Sequence, residues 1–322
     1  MDITVVGAGV IGLTTALTLE QRGHRVRVVA AARLAATTSS VAGAVWFPYR
    51  VGPAEKVPRW ALRTRRWLEQ VAREVPAAGV DVLTGYEILG DDGSTRPWWA
   101  ATPTMEGDAL DAEHITVEHV PAPVTGAPHG WRFVAPRAEP ALFLAWLESC
   151  LREPIEERAV TDLAAERGEV IVNCTGLGAR ELVGDDLVFP LLGQIAIAEP
   201  GDVDLATTIT DDRDPDHIFY VIPRRGEIVL GGCSLPFPPG AEPAIDPEIT
   251  ARVLAHAERL GIAAGAVRTV RVGLRPYRAA VRLERDTRDP RVIHNYGHGG
   301  AGFTLCRGCA DDVATLLGEP AA

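Results

Sequence analysis

The chain has 322 residues, 47% of them hydrophobic and 23% charged, which suits one large or two medium globular domains with real cores. Its formal net charge is −11, and Lys56 is the lone lysine; without a basic block, nucleic-acid and anionic-membrane binding are not expected. The five cysteines, Cys150, Cys174, Cys233, Cys306 and Cys309, are scattered and form no disulfide framework, so a reducing, cytoplasmic compartment is expected. No apolar run approaches the ~20 residues of a membrane span, no signal peptide precedes the first strand, and the last residues carry no peroxisomal address.

The first thirty residues read as one βαβ unit. Ile3 to Val6 is a short buried strand, and Gly7-Ala8-Gly9-Val10-Ile11-Gly12 fits G-x-G-x-x-G. Leu13, Leu17 and Leu19 follow on a helix ending near Gly23, and His24 to Ala30 alternates into a second strand. In this pattern Gly7 permits the tight turn, Gly9 lets backbone approach a pyrophosphate, and Gly12 lets helix and strand pack closely. One part is missing. The carboxylate expected about 20 residues on, which binds ribose hydroxyls, is replaced by Ala30-Ala31-Ala32-Arg33. A backbone group or another side chain must then hold the ribose, or Arg33 lies near a phosphate.

Thr37-Thr38-Ser39 leads into Gly43-Ala44-Val45, a hydroxyl-rich run passing into small residues. Hydroxyls suit a pyrophosphate and small residues suit the face of a planar ring; an ordinary polar loop with a helix cap is the alternative. Val57 to Val75 is expected to be an amphipathic surface helix with a tryptophan face. Pro140 to Arg152 is a further helix with Leu142, Phe143, Trp146 and Leu147 as its buried stripe. Glu169 to Asn173 reads as a parallel strand entering Cys174-Thr175-Gly176. Gly193–Ala198, His217–Pro223, Glu227–Gly232 and Ala266–Leu274 alternate as strands, and Arg224 and Arg225 are expected to be solvated turn residues. The fold class is therefore α/β, a discontinuous Rossmann-like nucleotide domain (1–50, 136–192 and 276–322) with an inserted, mostly antiparallel β domain (51–135 and 193–275).

Near the C-terminus the strand Val292–Asn295 runs into Gly297, Gly299, Gly300 and Gly302, and then into a helix. The Cys306-Arg307-Gly308-Cys309 within it matches a redox C-x-x-C but lacks a thioredoxin-like context, so it is read as the first turn of that helix. His294 and His298 have no carboxylate or cysteine at ligand spacing, and no metal site is expected.

Three stretches together, Gly273–Arg278, Val281–Arg285 and His294–Gly302, resemble the D-amino-acid oxidase family. Val170–Gly176 and Trp46-Phe47-Pro48-Tyr49 match it in the same order, so the resemblance runs from Met1 to about Leu317. It implies non-covalent FAD, a D-amino acid and dioxygen as substrates, and a 2-oxo acid, ammonia and hydrogen peroxide as products, with a monomer or homodimer as the working form. By the resemblance, Arg275 pairs the substrate carboxylate, Tyr220 hydrogen-bonds it, and the Gly300 carbonyl meets the amine. The flavin contacts implied are Gly7 to Gly12, Thr37, Thr38, Ser39, Gly43, Ala44, Val45, Val160, Thr175, Gly176, Arg275, Gly299, Gly300, Gly302, Phe303 and Thr304. A planar, permanently charged fork suits a carboxylate in an apolar pocket. D-aspartate oxidases of the family read Gly-Gly-x-Arg where this chain has Gly231-Gly232-Cys233-Ser234, which favours neutral substrates. Thr210 to Tyr220 is short and has no lid tyrosine, although Arg213 there could meet an acidic substrate. A glycine- or sarcosine-type amine oxidase, a D-aspartate oxidase and a non-catalytic nucleotide sensor are the competing readings.

Overall fold

The computed structural model describes residues 1–90, 96–100, 115–214 and 217–318. Parts of the irregular segment before Ala135, residues 215 and 216 of the Thr210–Tyr220 segment, and the last four residues lie outside them.

In chain order the elements are β1 (Asp2–Val6), α1 (Val10–Gln21), β2 (Arg25–Ala30), α2 (Val57–Glu74), β3 (Val80–Leu89), β4 (Glu118–Pro121), β5 (His129–Ala138), α3 (Pro140–Ser149), β6 (Glu156–Glu157), β7 (Val170–Asn173) and α4 (Ala179–Leu182). There follow β8 (Phe189–Ala198), β9 (Thr207–Asp211), β10 (Phe219–Arg224), β11 (Glu227–Gly231), β12 (Leu235–Pro236), α5 (Pro247–Arg259), β13 (Val267–Arg285), β14 (Val292–His298) and α6 (Gly302–Leu316).

The strands form one continuous sheet in the order β4-β5-β3-β9-β10-β11-β8-β13-β14-β7-β1-β2-β6, with β12 beside β8. At one end β14, β7, β1, β2 and β6 are all parallel, as the near-continuous apolar runs of β1 and β7 demand when both faces are covered. At the other end the pairs are antiparallel except β3 with β9. Each end has its own core: Val5, Leu13, Leu17, Val28 and Phe303 in the nucleotide part, and Leu192, Phe219, Leu230, Ile249 and Val253 under the antiparallel part.

The two ends are joined by β13. Its first half pairs with β8 up to Tyr277↔Phe189, and its second half pairs with β14. The strand expected from Ala266 to Leu274 thus runs on without a break through Arg275, Pro276 and Tyr277. Pro276 does not break it, because it faces Pro190 across the ladder and neither residue leaves the other an unmatched donor. The divisions expected at 192/193 and 275/276 fall inside β8 and β13.

Three local expectations are corrected. α2 is not a surface helix: Arg59, Trp60 and Arg63 are buried on α6, where Asp312 accepts from Arg59 Nη2 at 2.8 Å, Trp60 Nε1 at 2.8 Å and Arg63 Nη1 at 3.4 Å. The charges go inside because a carboxylate from the far end of the chain meets them. On α3 the buried row is Pro140, Phe143, Leu144 and Leu147, the helical spacing, which leaves Leu142 exposed and Trp146 half-buried. Arg224 is buried, not solvated: it continues β10 and donates to the Ala42 carbonyl at 2.8 Å.

Candidate active site

The loop between β1 and α1 is built as the fingerprint requires. Gly7 has φ +116, its N–H bonds the Val29 carbonyl at 2.8 Å, and a Cβ on Gly12 would lie 1.9 Å from the Gly7 carbonyl oxygen. The α1 N-terminus is left open apart from Ser39, whose hydroxyl accepts from Val10 N–H at 3.0 Å. Ser39 sits on a short 3-10 turn, Thr38–Val41, so the hydroxyl-rich run forms two small turns and no α-helix. Thr37 spends its hydroxyl on the preceding turn, Leu34–Ala36, donating to the Leu34 carbonyl.

One cleft brings most of the expected residues together. Val10 and Ile11 of α1, Thr38 and Ser39 of the turn, and Gly43, Ala44 and Val45 line one side. Gly176, after β7, and Gly299, Gly300, Gly302 and Phe303, after β14, line the next. Tyr220 of β10 and Arg275 of β13 line the cleft as well. The remaining expected contacts, Gly7, Ala8, Gly9, Gly12, Thr37, Val160, Thr175 and Thr304, are not on this wall. Thr304 instead clamps the α6 N-terminus to residue 47, accepting from Phe47 N–H at 3.2 Å and donating to its carbonyl at 2.9 Å. Thr175 is turned to Asn173 Oδ1 at 2.7 Å, and Val160 packs beside Val6 and Leu163.

In this cleft Arg275 Nη1 donates to the carbonyls of Cys233 at 2.7 Å and Leu192 at 3.2 Å. This is possible because position 193 is glycine: a Cβ there would stand 2.5 Å from Nη1 and 2.6 Å from Cζ. Tyr220 lies over Gly231 in the same way. Burial pushes the Tyr220 phenol up, with Arg275 beside it pulling the other way. Tyr49 also lines the cleft; burial raises it, while Ser234, Arg50 and Arg275 hold it down. Arg213, the second cation considered for an acidic side chain, is held by Asp211 at 2.8 and 2.7 Å.

β14 contributes two buried polar atoms without protein partners, Asn295 Oδ1 and His298 Nε2, on residues that line the cleft. Burial drives His298 down to about 3, so the ring is neutral. His294 is structural, between Asp286 at 2.9 Å and Asn173 at 3.3 Å. The open helix terminus, the small-residue wall and the two orphaned polar atoms fit a flavin dinucleotide, with apolar faces for its ring and unpaired groups for its polar edge. Cys306 and Cys309 are free, wholly buried thiols on α6; burial pushes Cys306 up to about 12, which removes it from redox use at neutral pH. Among the described residues no group of three or more His, Cys, Asp and Glu could hold a metal ion, and no helix is long and apolar enough to cross a membrane.

The sequence reading missed Tyr49, Gly193, Thr210 and Ile218 as wall residues. Tyr49 stood in the Trp-Phe-Pro-Tyr run already singled out; nothing in the sequence marks Gly193, whose role exists only once β8 and β13 pair.

Glu87 lies one strand beyond, in the cross-strand row Glu87–Thr210–Tyr220. Burial, and then the Asp212 charge, push it up to about 8, against a single hydrogen bond from Trp99 Nε1 at 3.3 Å. A carboxyl raised in the fold stabilises it fully only below its unfolded pKa of about 4.3, and that contribution is lost as pH rises toward 8. Glu87→Gln should therefore leave the melting temperature unchanged at pH 4 but raise it at pH 8.5, by about 2–4 kcal/mol of stability. Equal melting curves for both proteins at pH 8.5 would contradict this.

The family model for FAD dependent oxidoreductases, DAO, matches residues 2–316. A D-amino-acid oxidase of Streptomyces coelicolor is 41% identical over 325 residues, covering 98% of this chain and 96% of that protein. One from Rubrobacter xylanophilus is 40% identical over 324 residues, covering 98% and 95%. Glycine oxidase from Geobacillus kaustophilus superposes with a TM-score of 0.78 at 19% identity, covering 99% of this chain and 95% of that one, a likeness of fold. The chain belongs to the DAO family of FAD-dependent oxidoreductases.

Proposed function

We propose that this chain oxidises D-amino acids, chiefly neutral ones, to 2-oxo acids and ammonia with release of hydrogen peroxide. The observation that carries the reading is Arg275 beside Tyr220 in one cleft with the α1 N-terminus and the Gly299–Gly302 loop. Arg275 and Tyr220 take the substrate carboxylate, and the Gly300 carbonyl takes the amine, which together fix Cα–H toward the cofactor. FAD, when bound, accepts the hydride and passes the electrons to dioxygen. Val10, Ile11 and Ser39 at the helix terminus would hold its pyrophosphate, Gly43, Ala44, Val45, Gly176, Gly302 and Phe303 would line its place, and the backbone of Val160, by the family resemblance, would meet its adenine. No side-chain base is required, and His298 is neutral. A small hydroxyl, the buried Ser234, supports neutral side chains, as does the pairing of Arg213 to Asp211. Five free thiols support a reducing, cytoplasmic setting, where the protein acts as a monomer or homodimer.

Purified protein should be yellow and should bleach under anaerobic D-alanine but not L-alanine. Peroxide from glycine or sarcosine and none from D-alanine, D-valine or D-methionine would overturn the substrate assignment; a colourless protein that takes up no FAD would overturn the chemistry.

Gly193→Ala tests the geometry of the fork. The atom it strikes is the tip of a flexible side chain, so the guanidinium moves and the sheet stays. A displacement of about 1 Å should raise KM for D-alanine roughly 10- to 100-fold with little change in melting temperature. An unchanged KM would mean that the guanidinium position does not matter.

A further inference from the structure

Position 31, just past β2, is where this fold ordinarily carries the carboxylate for the adenosine ribose, and here it is alanine. The two-residue strand β6 lies directly alongside. Ala30 pairs with Glu157 in parallel register, and Arg158 N–H bonds the Ala30 carbonyl at 2.9 Å. The register puts Glu157 on the Ala30 face of the sheet, the face on which α1 packs. The preceding Glu156 is turned the other way, to Arg27 and Arg158. The phosphate loop touches the same strand end through Gly7 N–H to the Val29 carbonyl.

Arg33 fixes the carboxylates around this point. Its guanidinium is bound tightly by Glu148 at the end of α3 and loosely by Glu157, at 3.8 Å. Glu148 is largely buried and committed to Arg33, whereas Glu157 is 61% exposed and retains free acceptor oxygens. Arg33 is therefore not a free phosphate ligand; it is the clamp that keeps Glu157 over the end of β2.

We propose that Glu157, supplied by the neighbouring strand, replaces the missing fingerprint carboxylate and accepts the 2′-hydroxyl of the FAD adenosine ribose, with Arg33 and Glu148 as its positioning residues. The proposal rests on FAD being the bound dinucleotide. Whether FAD binds at all is read separately, from the colour of the purified protein.

The test is a competition on the holoenzyme. Bound FAD is exchanged against its analogue with 2′-deoxyadenosine, and the equilibrium ratio of the two is read by chromatography of the released cofactor. Wild type should prefer FAD by ~10-fold, the loss expected for one hydrogen bond to a charged acceptor. In Glu157→Ala that preference should fall to nearly 1. Because the ratio is measured within each protein, general loosening of the fold does not move it. Two results overturn the proposal: a wild type indifferent to the 2′-hydroxyl, or a Glu157→Ala variant that keeps the full preference.

Discussion

Replacing Arg275 by leucine is expected to raise KM for D-alanine by two to three orders of magnitude, while the purified variant still carries FAD. By the proposed reading the substrate carboxylate would enter a cleft walled by Ile195, Ile218 and Ile222 as well as by the Tyr220 ring, and burial there already raises the phenols of Tyr220 and Tyr49. A carboxylate in such surroundings stays ionised only against a fixed positive partner. Stranding it costs roughly 3–5 kcal/mol, and because the loss is felt on binding it falls mainly on KM. Arg275→Lys should recover only part of it, since a point charge restores attraction without two parallel donors. A structural collapse gives a different signature. Arg275 also holds the Cys233 and Leu192 carbonyls, so leucine lowers the melting temperature as well. The specific readout is discrimination between D-alanine and D-alaninamide, which lacks the carboxylate: wild type should discriminate strongly and Arg275→Leu hardly at all. A variant that keeps its discrimination and its KM would remove Arg275 from the role assigned to it.

What the sequence made legible follows how local the causes are. The βαβ unit is local: three glycines, a buried strand and a helix lie within thirty residues, and the structure reproduces β1, α1 and β2 to within a few residues at each end. The β-rich insert was likewise readable from alternation in β8, β10 and β11. The misread residues are those whose surroundings come from far along the chain. Trp60 is bonded to a carboxylate 252 positions away, so no window around α2 could reveal that its arginines go inside. Arg224 sits in a turn-like Pro-Arg-Arg-Gly sequence, yet its partner is the Ala42 carbonyl, 182 positions distant. The site divides the same way. Tyr220 and Arg275 were found through resemblance and stand on one cleft wall, but the glycine that seats the guanidinium is visible only when β8 and β13 lie side by side. Thr304 and Thr175 were expected near the cofactor by the resemblance; their hydroxyls are bonded to the Phe47 carbonyl and to Asn173.

Gly12→Ala should leave a folded but colourless protein, with FAD affinity reduced at least ~100-fold. The added methyl would stand 1.9 Å from the Gly7 carbonyl oxygen and 2.8 Å from its carbon, where ordinary contact is about 3.5 Å. The obstacle is backbone, so no rotamer relieves it. Nor can the loop retreat: a Cβ on Gly7 would already lie 2.4 Å from the Cys174 carbonyl oxygen, and Gly7 N–H is tied to Val29. The remaining escape is for α1 to lift away from β1 and β7. That loosens the packing of Leu13 and Leu17 on the core and carries the N–H groups of Val10 and Ile11 away from the position a pyrophosphate would occupy. The direct energetic loss is about 1–3 kcal/mol of overpacking, and the lost anion contacts add to it in binding. Gly23→Ala separates the two effects. Gly23, unlike Gly12, has a left-handed φ, +88, and a Cβ there meets nothing within 4 Å. That substitution should cost about 1 kcal/mol of stability through backbone strain alone and leave FAD affinity as it was. If Gly12→Ala retains its yellow colour on dilution as well as Gly23→Ala does, close helix–strand approach is not what builds the cofactor site.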